Sequence, residues 1–302
     1  MKYISILAVA LSAATLSSCN DDAIFEQEMY KNVVALISGD SYNTFQEVVS
    51  FSPDGAPAVG YIPACIGGTH APSHEMVIGL EADSTALDFY NKSNYDLDEV
   101  YYAKRLPKDK YEIADYEIRI KPGERTGKTM VKIHPEGLSP DSTYFIDLKA
   151  IGKSGVELNP TKSTILYQVL IKNAYATQGD NEYYSTNGFS DGVAVSGNKK
   201  MFPLSYNSVR VIAGMETFES TVEQIAKTAI VLEVGKDNHV TIKPWKDIEV
   251  TQIDGNEKYP NIFRVEESYG HTYNVFLLSY RYTIGKVTKE MQEELRLEVT
   301  EK

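Results

Sequence analysis

The thiol of Cys19 lies at a position where the sequence predicts a specific chemistry. It follows Leu16-Ser17-Ser18 near the start of the chain. Small residues before such a Cys match the bacterial lipobox, in which diacylglycerol alkylates the thiol and the chain is cut before the Cys. Residues 4–16 are apolar and too short to span a bilayer as a stable helix, which is typical of a signal-peptide core. We therefore expect residues 1–18 to be a lipoprotein signal peptide and residues 19–30 to be a tether lipidated at Cys19. The alternative is an ordinary signal peptide with an incidental Cys.

The segment Asn20-Asp21-Asp22 follows Cys19 directly. Acidic residues at this place resemble the surface-export signal of Bacteroidetes lipoproteins. The resemblance implies an outer-membrane protein that is anchored in the lipid through acylated Cys19 and faces the extracellular medium. The alternative is a solvated tether with no role in export.

No pattern of side chains in the sequence predicts catalysis or a metal site. The Gly-x-Ser-x-Gly motif of a nucleophile elbow is missing, and the many carboxylates follow no glycosidase pattern. His70 and His74 are four residues apart, but Pro72 between them argues against a helix that presents both to a metal. Cys65 stands in an apolar segment and is expected to be a small buried hydrophobe. We expect no enzyme activity, no metal and no cofactor.

Aromatic residues near predicted turns of the second half are the candidate ligand-binding residues. Flat aromatic rings stack on the apolar face of a pyranose, while nearby polar groups bind its hydroxyls. A core position is the alternative for Trp245, the single Trp of the chain, and packing between domains is the alternative for Tyr183 and Tyr184. The predicted binding residues are Tyr183, Tyr184, Trp245, Tyr259, Tyr269 and Tyr273.

The composition limits the class of protein and its partners. The formal net charge is -12, with 42 acidic against 30 basic residues. An acidic surface argues against nucleic acid, because phosphate binding needs clustered Lys and Arg. The hydrophobic fraction of 42% and the 21 tyrosines favour a buried core built from strands.

Short strands separated by turns predict an all-β fold. In residues 116–120 apolar and charged residues alternate, which indicates a strand with one wet face. The turn at residues 121–127 leads to a return strand, and residues 144–151 close the set. Residues 83–94 are predicted to cross as a helix or irregular segment. We expect residues 31–172 to form an N-terminal β-sandwich that is Ig-like.

The second half is predicted to be a series of hairpins. Residues 229–234 meet residues 239–242 across a turn that contains Gly235 and Asn238. In the final strand Leu295, Leu297 and Val299 share one face. Up-and-down hairpins favour closure, which removes exposed edges. We expect residues 173–302 to form an antiparallel β-barrel that is lipocalin-like.

Two segments resemble a known pair of domains. The first resemblance rests on Leu106-Pro107, the Pro-Gly turn at residues 121–127 and the later Tyr144 and Leu148. The segment that contains them resembles an N-terminal domain of unknown function in Bacteroidetes surface lipoproteins. The alternating residues 276–282 and the amphipathic last strand resemble the C-terminal domain that commonly follows it. The resemblance implies a lipoprotein associated with starch-utilisation-type glycan uptake at the outer membrane.

These expectations together favour a non-catalytic surface protein that binds a polysaccharide or oligosaccharide, with an outer-membrane transporter complex as a further partner. One alternative is a structural or adhesive protein that binds a protein partner, which predicts an exposed apolar patch. Another is a glycoside hydrolase with an unrecognised site, which predicts two carboxylates about 5–10 Å apart in a cleft.

Overall fold

The computed structural model describes residues 30–153, 155–179, 181–218 and 221–299. The predicted signal peptide, Cys19 and residues 20–29 of the tether lie outside these residues. No helix within the described ranges is long and apolar enough to cross a membrane. The described chain forms two all-β domains, as the sequence predicts.

The first domain, in the part of it that the structure describes, has eleven strands in two sheets. One sheet has the order β10-β1-β3-β8-β6, and the other has the order β2-β11-β9-β4-β7, with β5 beside β9. The strands are β1 Val33–Leu36, β2 Thr44–Ser50, β3 Ala58–Gly67, β4 Met76–Ala82, β5 Lys104–Arg105, β6 Tyr111–Ile113, β7 Glu117–Ile120, β8 Thr126–Ile133, β9 Tyr144–Gly152, β10 Glu157–Leu158 and β11 Thr164–Lys172.

The two sheets enclose one core, and this confirms the predicted β-sandwich. The chain changes sheets between β1 and β2, and β2 then runs parallel to β11 along seven residue pairs. In β7, Ile118 and Ile120 are buried while Arg119 points outward, which is the predicted period of two. The same period corrects one expectation in β3. Ala64 and Ile66 face the core, so Cys65 between them faces the other way and is partly exposed.

A short helix covers the outer face of β9 and β11 where the sequence predicts a crossing. Helix α1, Thr85–Tyr95, is followed by two 3₁₀ helices, Glu99–Tyr101 and Lys108–Lys110. The buried amide of Asn91 donates to the carbonyl of Ala103 and accepts from its N–H, at 3.0 and 2.8 Å. These two hydrogen bonds provide partners for the buried N–H and carbonyl of Ala103, and they fix the helix to the following segment.

The described residues of the second domain form ten strands and one helix. Its larger sheet has the order β13-β12-β21-β20-β18, with β19 also beside β20, and its smaller sheet has the order β14-β15-β16-β17. The elements are β12 Tyr184–Ser190, β13 Val193–Lys199, β14 Phe202–Ser205, β15 Ser208–Ile212, α2 Val222–Thr228, β16 Ala229–Val234, β17 Val240–Pro244, β18 Glu249–Gln252, β19 Ile262–Ser268, β20 His271–Ile284 and β21 Val287–Val299.

The two curled sheets share a core and form the predicted barrel-like domain. Strands β16 and β17 pair as the expected hairpin, with Leu232 opposite Ile242. Strands β20 and β21 pair over thirteen residues, from Thr272 opposite Val299 to Ile284 opposite Val287. Each fully buried apolar side chain of such a core, Phe276 for example, contributes about 1.5–3 kcal/mol to stability.

The segment between the domains is held by side-chain amides. Asn173 follows β11 and donates to the carbonyls of Ser205 and Ser208 in the second domain, at 2.7 and 2.9 Å. Gln178 donates to the carbonyls of Pro140 and Ser142 in the first domain, at 3.0 and 3.1 Å. These four hydrogen bonds tie the linking segment to both domains.

Candidate functional site

The predicted binding residues lie at different places on the second domain. Tyr183 is exposed just before β12, whereas Tyr184 is buried and donates from its hydroxyl to the carbonyl of Tyr175 at 2.8 Å. Burial raises the pKa of Tyr184. The ring of Tyr184 packs in the core, where it stabilises the barrel.

Two of the other tyrosines lie on the β19–β20 hairpin. Tyr269 is fully exposed at the tip, with a left-handed backbone (φ 52°). Tyr273 is half-buried, with the guanidinium carbon of Arg296 at 3.9 Å from its ring centroid. Tyr259 is half-buried beside the exposed ring of Phe189, where both line a shallow depression of about 470 Å³ on the larger sheet.

Trp245 lies directly after β17, on the outer side of the smaller sheet. Its indole packs against Ile212, Ile225 and Ala229 and is half-buried. The guanidinium carbon of Arg210 lies 5.3 Å from the ring centroid. Trp245 therefore supports this face of the sheet rather than filling the interior of the barrel.

Tyr183 forms part of a cleft of about 400 Å³ that we call the aromatic cleft. Tyr183 and Phe218 are about half-exposed, at 51% and 46%, and Phe202 is partly exposed beside them. The cleft is lined by Tyr183, Asn198, Lys199, Lys200, Phe202, Ile212, Glu216 and Phe218.

Four chain segments bring these residues together. Tyr183 precedes β12, Lys199 ends β13, Phe202 begins β14 and Phe218 lies in the loop after β15. Antiparallel pairing places Tyr184 opposite Lys199, so their neighbours Tyr183 and Lys200 meet at one end of the hairpin. The cleft therefore depends on the register of β12 and β13.

The rings of the cleft have a defined arrangement. Phe202 and Phe218 are stacked, with centroids 5.5 Å apart and planes 18° from parallel. The ammonium of Lys200 lies 5.9 Å from the centroid of Tyr183 and 5.8 Å from that of Phe202. A cation at such distances is attracted to the ring faces. The rings and the ammonium together form a platform with an apolar surface and a polar edge.

Arg210 supports this platform from β15. It pairs with Phe202 across the strands, and its guanidinium carbon lies 4.7 Å from the Phe202 ring centroid. The side chain is almost completely buried, with 1% exposed, and it donates two hydrogen bonds of 2.5 Å to Asp141 of the first domain. The first domain therefore contributes to holding Phe202 in place.

A buried polar network lies behind the cleft. Lys199 ends in an ammonium 2.5 Å from the carboxylate of Glu293, which also accepts from Tyr280 at 2.7 Å and Thr186 at 3.1 Å. Burial lowers the pKa of Lys199 and raises that of Tyr280. Lys199, Tyr280 and Thr186 each form a hydrogen bond with the Glu293 carboxylate. Charge-assisted hydrogen bonds therefore fix the wall of the cleft.

Glu216 is the one carboxylate among the described residues that line the cleft. It accepts hydrogen bonds from Tyr282 at 3.0 Å and from Lys289 at 2.7 Å. Burial raises the pKa of Tyr282. The rings and polar groups of the cleft are suited to stacking on a ligand and to hydrogen bonding with it. Within the described part of the chain, no group of three His, Cys, Asp or Glu residues is placed to hold a metal.

Several residues of the cleft are not among the predicted ones. Phe202 and Phe218 are the main additions, with Lys200 and Asn198 as polar neighbours. The sequence carries one signal, and it concerns Phe202 alone, which follows the strand end Lys199-Lys200 after one intervening residue. That signal is weak, because it does not indicate which loop covers the strand.

Two family models match the chain. Residues 25–157 match the model of an N-terminal domain, and residues 163–296 match the model of a C-terminal domain. The second match begins at β11, although β11 pairs within the first sandwich. Together the matches leave only residues 1–24, 158–162 and 297–302 outside, which confirms the pairing of two domains that the sequence resemblance implies.

Solved structures of Bacteroides proteins share this fold. A protein of unknown function from Bacteroides ovatus is 16% identical, with a TM-score of 0.63 over 92% of this chain and 93% of that chain. A multidomain protein including DUF1735 from the same species is 14% identical, with a TM-score of 0.62 over 88% and 94%. An auxiliary nutrient binding protein from Bacteroides thetaiotaomicron is 14% identical, with a TM-score of 0.62 over 87% and 94%. No curated protein matches the chain.

Proposed function

We propose that this chain, whose two halves match the family models of an N-terminal and a C-terminal domain, is a non-catalytic saccharide-binding protein of a bacterial surface. The observation that carries the proposal is the aromatic cleft. Its exposed rings are those of Tyr183 and of Phe218, which is stacked on Phe202, and the ammonium of Lys200 lies near Tyr183 and Phe202. A pyranose ring has the same division into an apolar face and polar hydroxyls.

The comparison with solved structures supports a binding role. One protein with this fold is an auxiliary nutrient binding protein. The cleft lies beside the junction of the two domains, since Arg210 supports Phe202 and bonds to Asp141. Junctions between domains are preferred places for ligand sites.

Polysaccharide gels test the proposal directly. Purified residues 20–302 should be retarded in a native gel that contains one of amylopectin, arabinoxylan, galactomannan, yeast mannan or mucin. Replacing Tyr183→Ala together with Phe218→Ala should weaken this retardation about tenfold or more, because each ring contributes roughly 1 kcal/mol of stacking.

The matched control is Tyr206→Ala, which removes an exposed tyrosine of the same domain outside the cleft. This variant should be retarded as strongly as the unmodified protein. Migration unaffected by every polysaccharide would overturn the proposal. If the cleft variant and the control were retarded equally, the aromatic cleft would not be the saccharide-binding site.

The proposal includes anchoring at the outer membrane through a lipid on Cys19, with the protein facing the medium and serving an outer-membrane transporter complex. Its support is the Leu16-Ser17-Ser18-Cys19 motif and the acidic residues that follow. In a Bacteroides host, Cys19→Ala should remove the protein from the outer-membrane fraction and abolish its labelling by radioactive palmitate, whereas Cys65→Ala should change neither. Palmitate labelling of Cys19→Ala would contradict the anchor without affecting the saccharide site.

A protein partner is the second candidate function, and one observation favours it. Leu97 and Val100, on the segment after α1, are 88% and 80% exposed, with Tyr101 beside them. Exposed apolar side chains in one segment are typical of contact surfaces between proteins. Changing Leu97→Asp and Val100→Asp should abolish crosslinks to outer-membrane proteins and leave polysaccharide retardation unchanged if this segment binds a protein.

A further inference from the structure

The first domain contains a separate cavity of about 560 Å³ between α1 and the loop before β2. We call it the α1 pocket. Its apolar part is formed by Tyr42, Ala86 and Phe89, and polar groups at its rim include Asp83, Lys149 and Thr161. No residue of this pocket belongs to the aromatic cleft.

Two rings form a corner in the α1 pocket. The centroids of Tyr42 and Phe89 are 5.8 Å apart, and their planes are tilted by 53°. Tyr90 contacts Tyr42 edge-on at 5.3 Å and contacts the buried Phe145 at 5.1 Å. Phe89 itself is 64% exposed. The rings are therefore supported from the core side and open on the solvent side.

The backbone fixes this corner in an unusual conformation. Tyr42 and Asn43 are consecutive left-handed residues, with φ of 54° and 53°. A bulky residue with a positive φ is strained, and such strain persists only where the surroundings hold it. The amide of Asn43 donates to the Thr161 carbonyl at 2.9 Å and to the Thr164 hydroxyl at 3.1 Å. The carbonyl of Asn43 accepts from the Leu166 N–H at 3.0 Å.

The rim of the α1 pocket carries groups of both charges and a hydroxyl. Asp83 accepts from the Thr85 N–H at 2.9 Å and also from its hydroxyl, and these hydrogen bonds lower the pKa of Asp83. Lys149 and Thr161 are exposed on the same rim. Two carboxylates, those of Asp40 and Asp83, lie with an ammonium and a hydroxyl beside the apolar corner, and together they match the hydroxyls and the apolar face of a sugar. Two carboxylates against one ammonium favour a neutral ligand over a polyanion.

We infer that the α1 pocket is a second saccharide site, which takes a neutral pyranose on Phe89 and Tyr42 and binds its hydroxyls through Asp83, Lys149 and Thr161. The inference rests on the proposed function, because the ligand is of the same class as that of the aromatic cleft. The sequence places saccharide binding on the second domain, and this inference gives the first domain a binding site as well. Two sites on one chain bind one polysaccharide with an avidity that exceeds either affinity.

The test uses Phe89→Ala in residues 20–302, in the same polysaccharide gels. Phe89 is exposed, so its truncation should leave thermal unfolding nearly unchanged. Tyr116→Ala is the matched control, because Tyr116 is an exposed tyrosine of the same domain that does not line the pocket. Phe89→Ala should weaken retardation about tenfold or more through loss of avidity, and Tyr116→Ala should not.

Combination with the cleft variant separates the two proposals. The triple change Tyr183→Ala, Phe218→Ala and Phe89→Ala should abolish all retardation, while either site alone should preserve part of it. If Phe89→Ala is retarded like the unmodified protein and the cleft variant loses all retardation, the second site is refuted and the proposed function stands. If no polysaccharide retards the unmodified protein, both are refuted.

Discussion

The guanidinium of Arg210, in the second domain, donates two hydrogen bonds of 2.5 Å to the carboxylate of Asp141, in the first. Arg210 also lies over the rings of Phe202 and Trp245, at 4.7 and 5.3 Å. One side chain therefore links the orientation of the domains to the platform of the aromatic cleft. The planar fork of Arg suits this double role, because it bonds a carboxylate through its edge and packs on rings through its face.

Removal of Asp141 should destabilise the protein strongly. Asp141→Ala leaves the buried guanidinium of Arg210 without its charged partner, and breaking a buried pair in this way costs about 3–5 kcal/mol. Urea unfolding measured by the fluorescence of Trp245, the only Trp of the chain, reports on this junction directly. The emission of the folded variant should also change, since Trp245 contacts Arg210.

An exposed pair provides the comparison for Asp141→Ala. Arg281 and Glu290 form an ion pair of 3.1 Å on the surface of β20 and β21. Glu290→Ala should lower the free energy of unfolding by about 1 kcal/mol or less, because exposed pairs contribute little. Similar losses for the two variants would show that the Asp141–Arg210 pair has no special structural role.

Lys199 and Glu293 should depend on each other. Glu293→Gln leaves the buried ammonium of Lys199 without a countercharge and should lower the free energy of unfolding by about 3 kcal/mol or more. Adding Lys199→Met should restore most of this loss, because Gln still accepts from Tyr280 and no buried charge remains. A double-mutant cycle from urea unfolding measures the coupling. If the free-energy losses of the two single variants simply added in the double variant, Lys199 and Glu293 would not be coupled.

Strand β21 illustrates what the alternation of residues predicts and what it does not. The sequence places Leu295, Leu297 and Val299 on one face, and in the structure Leu295 is buried, Leu297 is half-buried and Val299 is exposed near the strand end. The same alternation puts Glu293 on that inner face, where a carboxylate is not expected. Its burial depends on Lys199, which belongs to another strand.

The aromatic cleft could not be assembled from sequence for a similar reason. The type of Tyr183 and its place near a turn predict a binding residue, but its neighbours Phe202 and Phe218 come from other segments. Their proximity depends on the pairing of β12 with β13 and on the path of the loop after β15. Local patterns predict the strands and their faces, whereas contacts between distant segments require the register of the sheets.

Gly188 should be essential for the packing of β12 on β21. A Cβ at this position would overlap the carbonyl oxygen of Gln292 and lie 2.8 Å from the Cα of Glu293. Gly188→Ala should therefore lower the free energy of unfolding by about 2–4 kcal/mol, since backbone must move to admit the methyl group. Thermal or urea unfolding measures the effect.

Gly192, in the following turn, is the matched control for Gly188. It has a φ of 78°, and a methyl group at this position would have no atom within 4 Å, so Gly192→Ala introduces only backbone strain of about 1–2 kcal/mol. The variant of Gly188 should be the less stable of the two. The reverse order would contradict the contact between β12 and β21.

Four buried tyrosines should make the protein sensitive to alkaline pH. Burial raises the pKa of Tyr167, Tyr184, Tyr280 and Tyr282 above the ordinary value of 10.0. Above about pH 10, the unfolded chain loses these protons while the folded protein keeps them. The stabilisation is therefore complete below pH 10 and decreases as the pH rises toward the folded-state values. Each such tyrosine should lower the free energy of unfolding by about 1.4 kcal/mol per pH unit.

Urea unfolding across this alkaline range, followed together with tyrosinate absorbance, measures the slope. Tyr184→Phe removes one of the four hydroxyls and keeps the ring in the core, so the slope should decrease by about 1.4 kcal/mol per pH unit. The variant also loses the hydrogen bond to the Tyr175 carbonyl, which lowers stability equally at all pH values and does not affect the slope. An unchanged slope in Tyr184→Phe would show that Tyr184 ionises in the folded protein.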